Sequence, residues 1–150
     1  MELLLNEIER LSKIDLNQIL VAIFQQKDIQ DFILNLIKQD QLRDKGVSEE
    51  NILLGVYSPY TEQINPEKQA GTHYTLFDTG AFYDSMFISV LADSIIINGD
   101  GQKVDSHGVV TDLFVKFNDK GNILGLTPEN MEKLIDEIYP LIYGSFERLL

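Results

Sequence analysis

Two stretches of helically spaced apolar residues, one at each end of the chain, constrain the fold most. Over residues 2–43 and again over residues 131–146, apolar side chains recur at the three- and four-residue intervals of amphipathic helices. Glycine, proline and short β-rich runs replace this pattern in between. The sequence therefore predicts an α+β fold, in which N-terminal helices and a C-terminal helix pack on a small antiparallel β-sheet.

Local signals divide the first helical stretch. Asp15 is a predicted N-cap, and Gln18 stands three residues later at the capping-box position. One helix should therefore end near residue 14 and another begin after Asp15, and we expect a softer break at 26–28. Gly46 follows a basic last turn and is the expected C-terminal glycine of the whole stretch.

The C-terminal helix has a clear predicted start and an internal disruption. Thr127 is a suitable N-cap, and Pro128 is suited to the first helical position because its missing N–H has no partner there anyway. Pro140 removes a later donor and crowds the preceding turn, so the sequence predicts a bend or break near Asp136.

The chain after residue 46 divides into two parts. Residues 47–75 carry scattered glycine and proline and one short extended run, and they predict a long extended arm or loop with a strand at 53–57. Residues 76–150 should hold the rest of the sheet and the C-terminal helix. With a helical part at 1–46, the chain is expected to form a single domain over 1–150.

Two β-rich runs supply the predicted sheet. Residues 86–91 and 94–98 flank a short turn and predict a hairpin or a bent pair of strands. The segment Asn98–Gly101 has the densest turn signal in the chain and predicts a hairpin turn. Residues 109–117 fit strand alternation and one helical face alike, and we favour helix for their first part.

Charge and composition narrow the classes of function. The chain has 24 acidic and 12 basic residues and a formal net charge of −12, which disfavours a dedicated DNA-binding role. It contains no cysteine, so neither disulfides nor thiolate metal sites are available. The acidic N-terminus and the short apolar runs predict neither a secretory signal nor a membrane span. We expect no cofactor and no metal.

The triplet Asp78-Thr79-Gly80 is the sequence of the catalytic triplet in aspartic proteases. Those enzymes need two such carboxylates, and this chain contains one triplet, so an aspartyl-type hydrolase would require a homodimer. The following "AFYDSM" has helical character, which favours a structural turn motif formed by Asp78, Thr79, Gly80 and Ser85. In that interpretation Asp78 or Thr79 caps a short helix beginning at Gly80.

Other chemical motifs are incomplete. "NGDGQKVD" offers calcium-loop oxygens but lacks the glycine and the glutamate that an EF-hand loop needs at its sixth and twelfth positions. His73 and His107 lack metal-ligand spacing. Ser85 with His107 and Asp105 would make a triad, but no nucleophile-elbow pattern surrounds the serine. These patterns predict a non-enzymatic chain.

Several quoted segments together resemble a known family. They are "LNLIKQDQLRDKGVSEENILLGVYSPYTEQINPEKQAG", "YTLFDTGAFYDSMFISV", "DSIIINGD" and "DLFVKFNDKGNILGLTPENMEKLIDEIYPLI". In this order they resemble small virion proteins of tailed bacteriophages, especially phages of Bacteroides-type hosts, of the minor tail or tail-completion class in the head-to-tail connector. The best-matching residues are Gln41-Leu42, Gly46, Gly55, Tyr57-Ser58, Thr61-Glu62, Leu76, Asp78-Thr79-Gly80, Phe82, Ser85, Gly125-Leu126 and Pro128.

This resemblance implies a non-enzymatic virion protein, assembled in the bacterial host cytoplasm as a homo-oligomeric ring. Other portal, connector or tail proteins would be its partners, and DNA would pass through an acidic lumen without specific binding. The arm is the expected subunit interface, with Tyr57, Tyr60 and Tyr74 as contact residues. The alternatives are a hydrolase using Asp78 and a monomeric acidic adaptor that presents an apolar helix to a partner.

Overall fold

The computed structural model describes residues 1–12 and 14–149 and confirms the α+β class. Its helical elements are α1 (Glu2–Ser12), α2 (Leu16–Phe24), α3 (Lys27–Asn35), a π-helix (Leu36–Lys45), α4 (Pro59–Ile64), α5 (Ala81–Asp84), α6 (Leu113–Lys116), a 3-10 helix (Asn118–Lys120) and α7 (Pro128–Leu149). Its strands are β1 (Phe87–Val90), β2 (Ile95–Asn98), β3 (Gln102–Val104) and β4 (Val110–Asp112).

The strands form two separate antiparallel hairpins rather than one sheet. β1 pairs with β2, with Phe87 opposite Asn98, and β3 pairs with β4, with Gln102 opposite Asp112. The predicted pairing of 86–91 with 94–98 is confirmed. The predicted strand at 53–57 is wrong, because that segment makes only isolated bridges to residues outside the named strands.

Two local predictions in this region are also wrong. The Asn98–Gly101 turn joins β2 to β3, which lie in different sheets, so it is a connection between hairpins rather than a hairpin turn. The first part of 109–117 is strand β4, in keeping with its β-branched residues, and the helix begins only at Leu113. Strand β4 ends and helix α6 begins at Asp112, because its carboxylate caps the helix by accepting hydrogen bonds from the backbone N–H groups of Phe114 (2.9 Å) and Val115 (3.3 Å).

The core lies between the helices from both ends of the chain and the first hairpin. α7 packs mainly against α2 and α3, and α3 in turn contacts β1. The most deeply buried apolar side chains are those of Ile33, Ile37, Leu42 and Ile123. Burial of such side chains stabilises the fold by roughly 1.5–3 kcal/mol each.

Helix ends follow the predicted signals. The Asp15 carboxylate accepts a hydrogen bond from the backbone N–H of Asn17 (2.9 Å). The break expected at 26–28 lies at 25–26, between α2 and α3. Gly46 ends the π-helix in the left-handed conformation, at φ 63°. The Thr127 hydroxyl accepts from the Asn130 N–H (3.3 Å) at the start of α7. Pro140 lies within α7, which is unbroken, so of the predicted bend or break the break is absent, and the bend stays a prediction.

A π-helix replaces the α-helix expected over the last part of the first stretch. Its buried residues Leu36 and Gln41 are five positions apart, as are Ile37 and Leu42. A π-helix has more residues per turn than an α-helix, so residues five positions apart lie nearer to the same face of the helix. Both pairs therefore face the core. The helical extent to Gly46 is thus confirmed, but the helix type differs.

Residues 47–75 form a loop that folds back on the body rather than an extended arm. The backbone N–H of Tyr57 donates to Thr72 O (2.9 Å), and the N–H of Tyr74 donates to Gly55 O (2.9 Å), so the two ends of the loop run side by side. Between them lies α4, capped by the Ser58 hydroxyl. Leu54 is buried in the core. The loop is therefore an integral part of the domain.

Candidate functional site

A cleft of about 420 Å³ lies beside Asp78 and is here named the Asp78 cleft. The returning loop, the segment before α5, the β3–β4 hairpin and α6 form its walls. Its aromatic lining consists of Tyr57, Tyr74, Phe77, Phe82 and Phe117. Its charged lining consists of Lys68, Lys103, Lys116, Asp78, Asp100 and Asp105. The cleft thus combines an apolar floor with balanced charge.

Two lysines bind the carboxylate of Asp78. Its Oδ1 lies 3.3 Å from Lys68 Nζ, and its Oδ2 lies 3.4 Å from Lys103 Nζ. Partial burial raises the pKa of Asp78, but the positive charges and hydrogen bonds of the two lysines outweigh it and hold the pKa below its ordinary value of 3.8. An aspartic-protease dyad instead places a second carboxylate beside the first, so that the two share a proton. The intrachain neighbours of Asp78 favour the ionised form.

Thr79 and Gly80 set the turn into α5. Gly80 is buried at φ 89°, and the Phe77 ring lies 3.3 Å from the point that a Cβ would occupy. The Thr79 hydroxyl accepts from the Ala81 N–H (3.3 Å). The predicted structural turn is present, but α5 begins at Ala81, one residue later than expected, and Asp78 pairs with the lysines instead of capping it.

Ser85 ties α5 to the segment after β2. Its hydroxyl donates to Phe82 O (2.6 Å) and accepts from the Asp100 N–H (2.8 Å). These contacts occupy the hydroxyl as donor and acceptor, and neither involves His107 or Asp105. The hypothetical triad is therefore replaced by a structural link that fixes one end of the cleft.

The three tyrosines of the predicted interface differ in environment. The rings of Tyr57 and Tyr74 pack edge to face at 4.9 Å between centroids, and Tyr74 also contacts Phe117 at 6.0 Å. Tyr60, on α4, is 71% exposed. Two of these residues therefore support the cleft from within the chain, whereas Tyr60 alone of the three presents most of its ring to solvent. Their role in a subunit interface stays a prediction.

Two of the three lysines in the cleft also lie over aromatic rings. Lys116 Nζ is 5.5 Å from the centroid of Tyr74 and 5.3 Å from that of Phe117, while Lys68 Nζ is 5.8 Å from Tyr57. Within residues 1–12 and 14–149, Lys116 makes no ion pair. The sequence pattern gave no signal for this cluster, because its lysines come from three segments that only the tertiary fold brings together.

A second candidate feature is a pair of exposed apolar helical faces. On α1, Leu4 is 58% and Ile8 is 52% exposed, and the described side chains of this helix take no part in the core. On α7, exposed apolar residues recur every four positions and form one stripe, which consists of Met131, Ile135, Tyr139 and Tyr143. Contiguous apolar surface of this kind marks sites of association.

Comparison with known proteins gives no relative: no family model, curated protein or solved structure matches the chain. The described residues also contain no group of three or more histidine, aspartate or glutamate side chains arranged to hold a metal ion. In the same part of the chain, no helix has the length and apolar character that crossing a bilayer requires.

Replacing Asp78 with asparagine is expected to lower the free energy of unfolding by less than about 1 kcal/mol at pH 7, because the ion pairs are partly exposed. Folding lowers the pKa of Asp78, so its contribution is fully present above the unfolded value and is lost as pH falls through the folded value. Urea unfolding of wild type and variant should therefore differ at pH 7 and converge at about pH 2. Asp136→Asn on α7 is the control, and an unchanged difference at both pH values would contradict the assignment.

Proposed function

We propose that this chain is a non-enzymatic virion subunit of a tailed bacteriophage. In this proposal it assembles as a homo-oligomeric ring in the head-to-tail connector or tail, and DNA passes through the ring without specific binding. The resemblance around "YTLFDTGAFYDSMFISV" suggests the class of protein. The observation that carries the proposal is the pair of exposed apolar faces on α1 and α7.

Two different faces are what a ring contact needs. In a cyclic ring each subunit offers one surface to the next and receives a different surface from the previous one. The α1 face and the α7 stripe are distinct, and each carries apolar side chains that are about half exposed or more, such as Ile8 and Ile135. We infer that α1 of one copy packs on the α7 stripe of its neighbour.

The position of α1 suits it to this role. The guanidinium of Arg10 donates to Leu149 O (3.3 Å), which places the end of α1 beside the end of α7. Because the described part of α1 contributes no side chain to the core, a neighbouring subunit can bury its apolar face without disturbing the domain. The formal charge of −12 supports a lumen surface that repels DNA.

The double substitution Leu4→Glu/Ile8→Glu is expected to weaken self-association at least tenfold. Each apolar side chain contributes roughly 1.5–3 kcal/mol when fully buried, and a buried carboxylate without a partner adds a further cost. Light scattering of the purified chain across a concentration series measures the effect, and negative-stain microscopy shows whether rings form.

Val109→Glu is the matched control, because Val109 is 58% exposed and lies outside both faces. The control should assemble as the wild type does. A wild-type chain that stays monomeric at all concentrations, and also in mixtures with phage portal and tail proteins, would contradict the proposed function. The same result would favour the monomeric adaptor.

A further inference from the structure

We propose that the Asp78 cleft binds an aromatic carboxylate, with Lys116 contacting the carboxylate and the aromatic floor contacting the ring. This inference concerns a ligand site and does not depend on ring assembly. It rests on three observations: the volume of the cleft, its aromatic lining, and the single lysine in it that has no ion-pair partner among the described residues.

The size and lining of the cleft fit a small planar ligand. Its volume of about 420 Å³ falls within the range of roughly 300–1,000 Å³ in which small-molecule sites are usually found. Tyr74 and Phe117 meet edge to face at 6.0 Å, and Phe82 and Tyr57 also line the cleft. Phe117 and Phe82 are themselves buried. The half-buried rings of Tyr57 and Tyr74 and the exposed ring of Phe77 therefore offer the surface that another ring would contact.

The polar contacts within the cleft indicate the charge of the ligand. Lys68 and Lys103 already have an ion-pair partner, because both contact the carboxylate of Asp78, at 3.3 Å and 3.4 Å. Lys116 differs, because its ammonium group lies over two rings and forms no ion pair in the described part of the chain. An anion at that point would gain an ionic contact without displacing an existing one.

The two rim aspartates do not oppose this assignment. Asp105 Oδ1 accepts from the backbone N–H groups of His107 (2.8 Å) and Val109 (2.9 Å), and Asp100 Oδ1 accepts from the Gln102 N–H (3.0 Å). Both carboxylates thus stabilise their own turns and lie at exposed positions. Water and salt screen charges at such positions, which weakens the repulsion between these two carboxylates and a bound anion.

The local fold holds Lys116 in place. Asp112 caps α6 through the Phe114 N–H (2.9 Å), and Lys116 follows in the last turn of this short helix. Phe114 packs against Gly101, where a Cβ would lie 2.7 Å from the ring. The backbone that carries Lys116 is therefore fixed between the β3–β4 hairpin and the cleft floor, which favours binding by preorganisation.

A titration with indole-3-acetate, followed by amide chemical shifts of the full chain, tests the proposal. Indole-3-acetamide is the neutral match. We expect shifts clustered at residues 74–79 and 113–117 and roughly fivefold tighter binding of the carboxylate. The Leu4→Glu/Ile8→Glu variant serves as the titrated protein if wild-type assemblies are too large for the spectra.

Variants of Lys116 show whether its charge is responsible. Lys116→Gln should remove the preference for the carboxylate, and Lys116→Arg should keep it. Lys133→Gln is the control, because Lys133 pairs with Asp40 outside the cleft at 2.9 Å. Three results would overturn the proposal, whether or not the chain forms rings. They are equal binding of indole-3-acetate and indole-3-acetamide, chemical-shift changes outside the cleft, and an unchanged preference for the carboxylate in Lys116→Gln.

A second arm distinguishes the two sources of an aromatic carboxylate. The N-acetylated tripeptide Gly-Gly-Phe with a free C-terminus represents a protein chain end, and the same N-acetylated peptide with a C-terminal amide is the neutral match. Tighter binding of the free peptide than of indole-3-acetate would assign the site to a partner chain end. The reverse order would assign it to a free small acid, and absence of binding by both would overturn the proposal.

Discussion

Replacing Gln41 with leucine is expected to lower the free energy of unfolding by about 3–5 kcal/mol. Gln41 is 1% exposed, and its side-chain nitrogen donates to Gly125 O at 2.7 Å. Its amide oxygen accepts from the Thr127 N–H (2.8 Å) and from Asn130 Nδ2 (3.0 Å). Leucine fills a similar volume but leaves these buried groups short of a partner, at a cost of roughly 1–3 kcal/mol each.

The expected loss is a large part of the stability of a domain this size, which is typically about 5–15 kcal/mol. Urea unfolding followed by circular dichroism measures it. Gln39→Leu is the matched control, since Gln39 lies in the same π-helix with an exposed side chain. Equal loss of stability in the two variants would show that the side-chain hydrogen bonds of Gln41 do not contribute to the free energy of unfolding.

Replacing Gly46 with alanine is expected to cost about 2–4 kcal/mol of stability. Gly46 has φ 63°, and a left-handed conformation costs a non-glycine residue roughly 1 kcal/mol. A Cβ would also lie 2.4 Å from the backbone oxygen of Tyr74 and 2.7 Å from a ring carbon of His73. Because the first of these contacts is backbone, the chain itself must move, which adds roughly 1–3 kcal/mol.

The Gly71→Ala variant separates the cost of the left-handed backbone conformation from the cost of the steric clash. Gly71 also has a positive φ, 81°, but nothing lies within 4 Å of its added Cβ, so that variant should lose only about 1 kcal/mol. Thermal and urea unfolding of both variants give the comparison. Gly46→Ala should also weaken carboxylate binding in the Asp78 cleft, because the clash displaces Tyr74. Equal stability of the two variants would contradict the contact with Tyr74 O.

The proposed ring and the proposed ligand site place different demands on the molecule. The ring uses the outward faces of α1 and α7, whereas the ligand site uses the concave surface between the returning loop and α6. A variant that loses assembly should keep the ligand preference, and a Lys116 variant should keep assembly. The two hypotheses can therefore fail separately.

Helices and their ends were predictable from the sequence because their signals are local. Asp15, Gly46 and Thr127 act on backbone groups within a few residues, and each stands where a cap was expected. The apolar spacing in the first helical stretch also predicted the buried faces of α2 and α3, whereas the apolar face of α1 is exposed. The π-helical geometry was not predictable, because the buried pairs Leu36–Gln41 and Ile37–Leu42 are set by packing rather than by propensity.

The β-structure was less predictable, because a strand forms only where another segment of the chain lies beside it and pairs with it. Residues 53–57 resemble a strand, yet Gly55 lies against the Tyr74 ring and its carbonyl oxygen accepts the Tyr74 N–H, so the segment runs beside the returning end of its own loop. Pro140 was expected to bend or break α7. The helix continues through it, with Leu134 and Ile138 buried before the proline and Leu141 packed against the core after it.

The sequence by itself determined the α+β class, the helical caps, the paired strands of the first hairpin and the presence of a turn at Asp78-Thr79-Gly80. Only the tertiary structure decided that the loop over 47–75 closes on the domain and that Lys68, Lys103 and Lys116 meet around an aromatic floor. The physical reason is distance along the chain. Caps and turns satisfy nearby backbone groups, whereas a cleft depends on contacts between segments that the sequence pattern does not link.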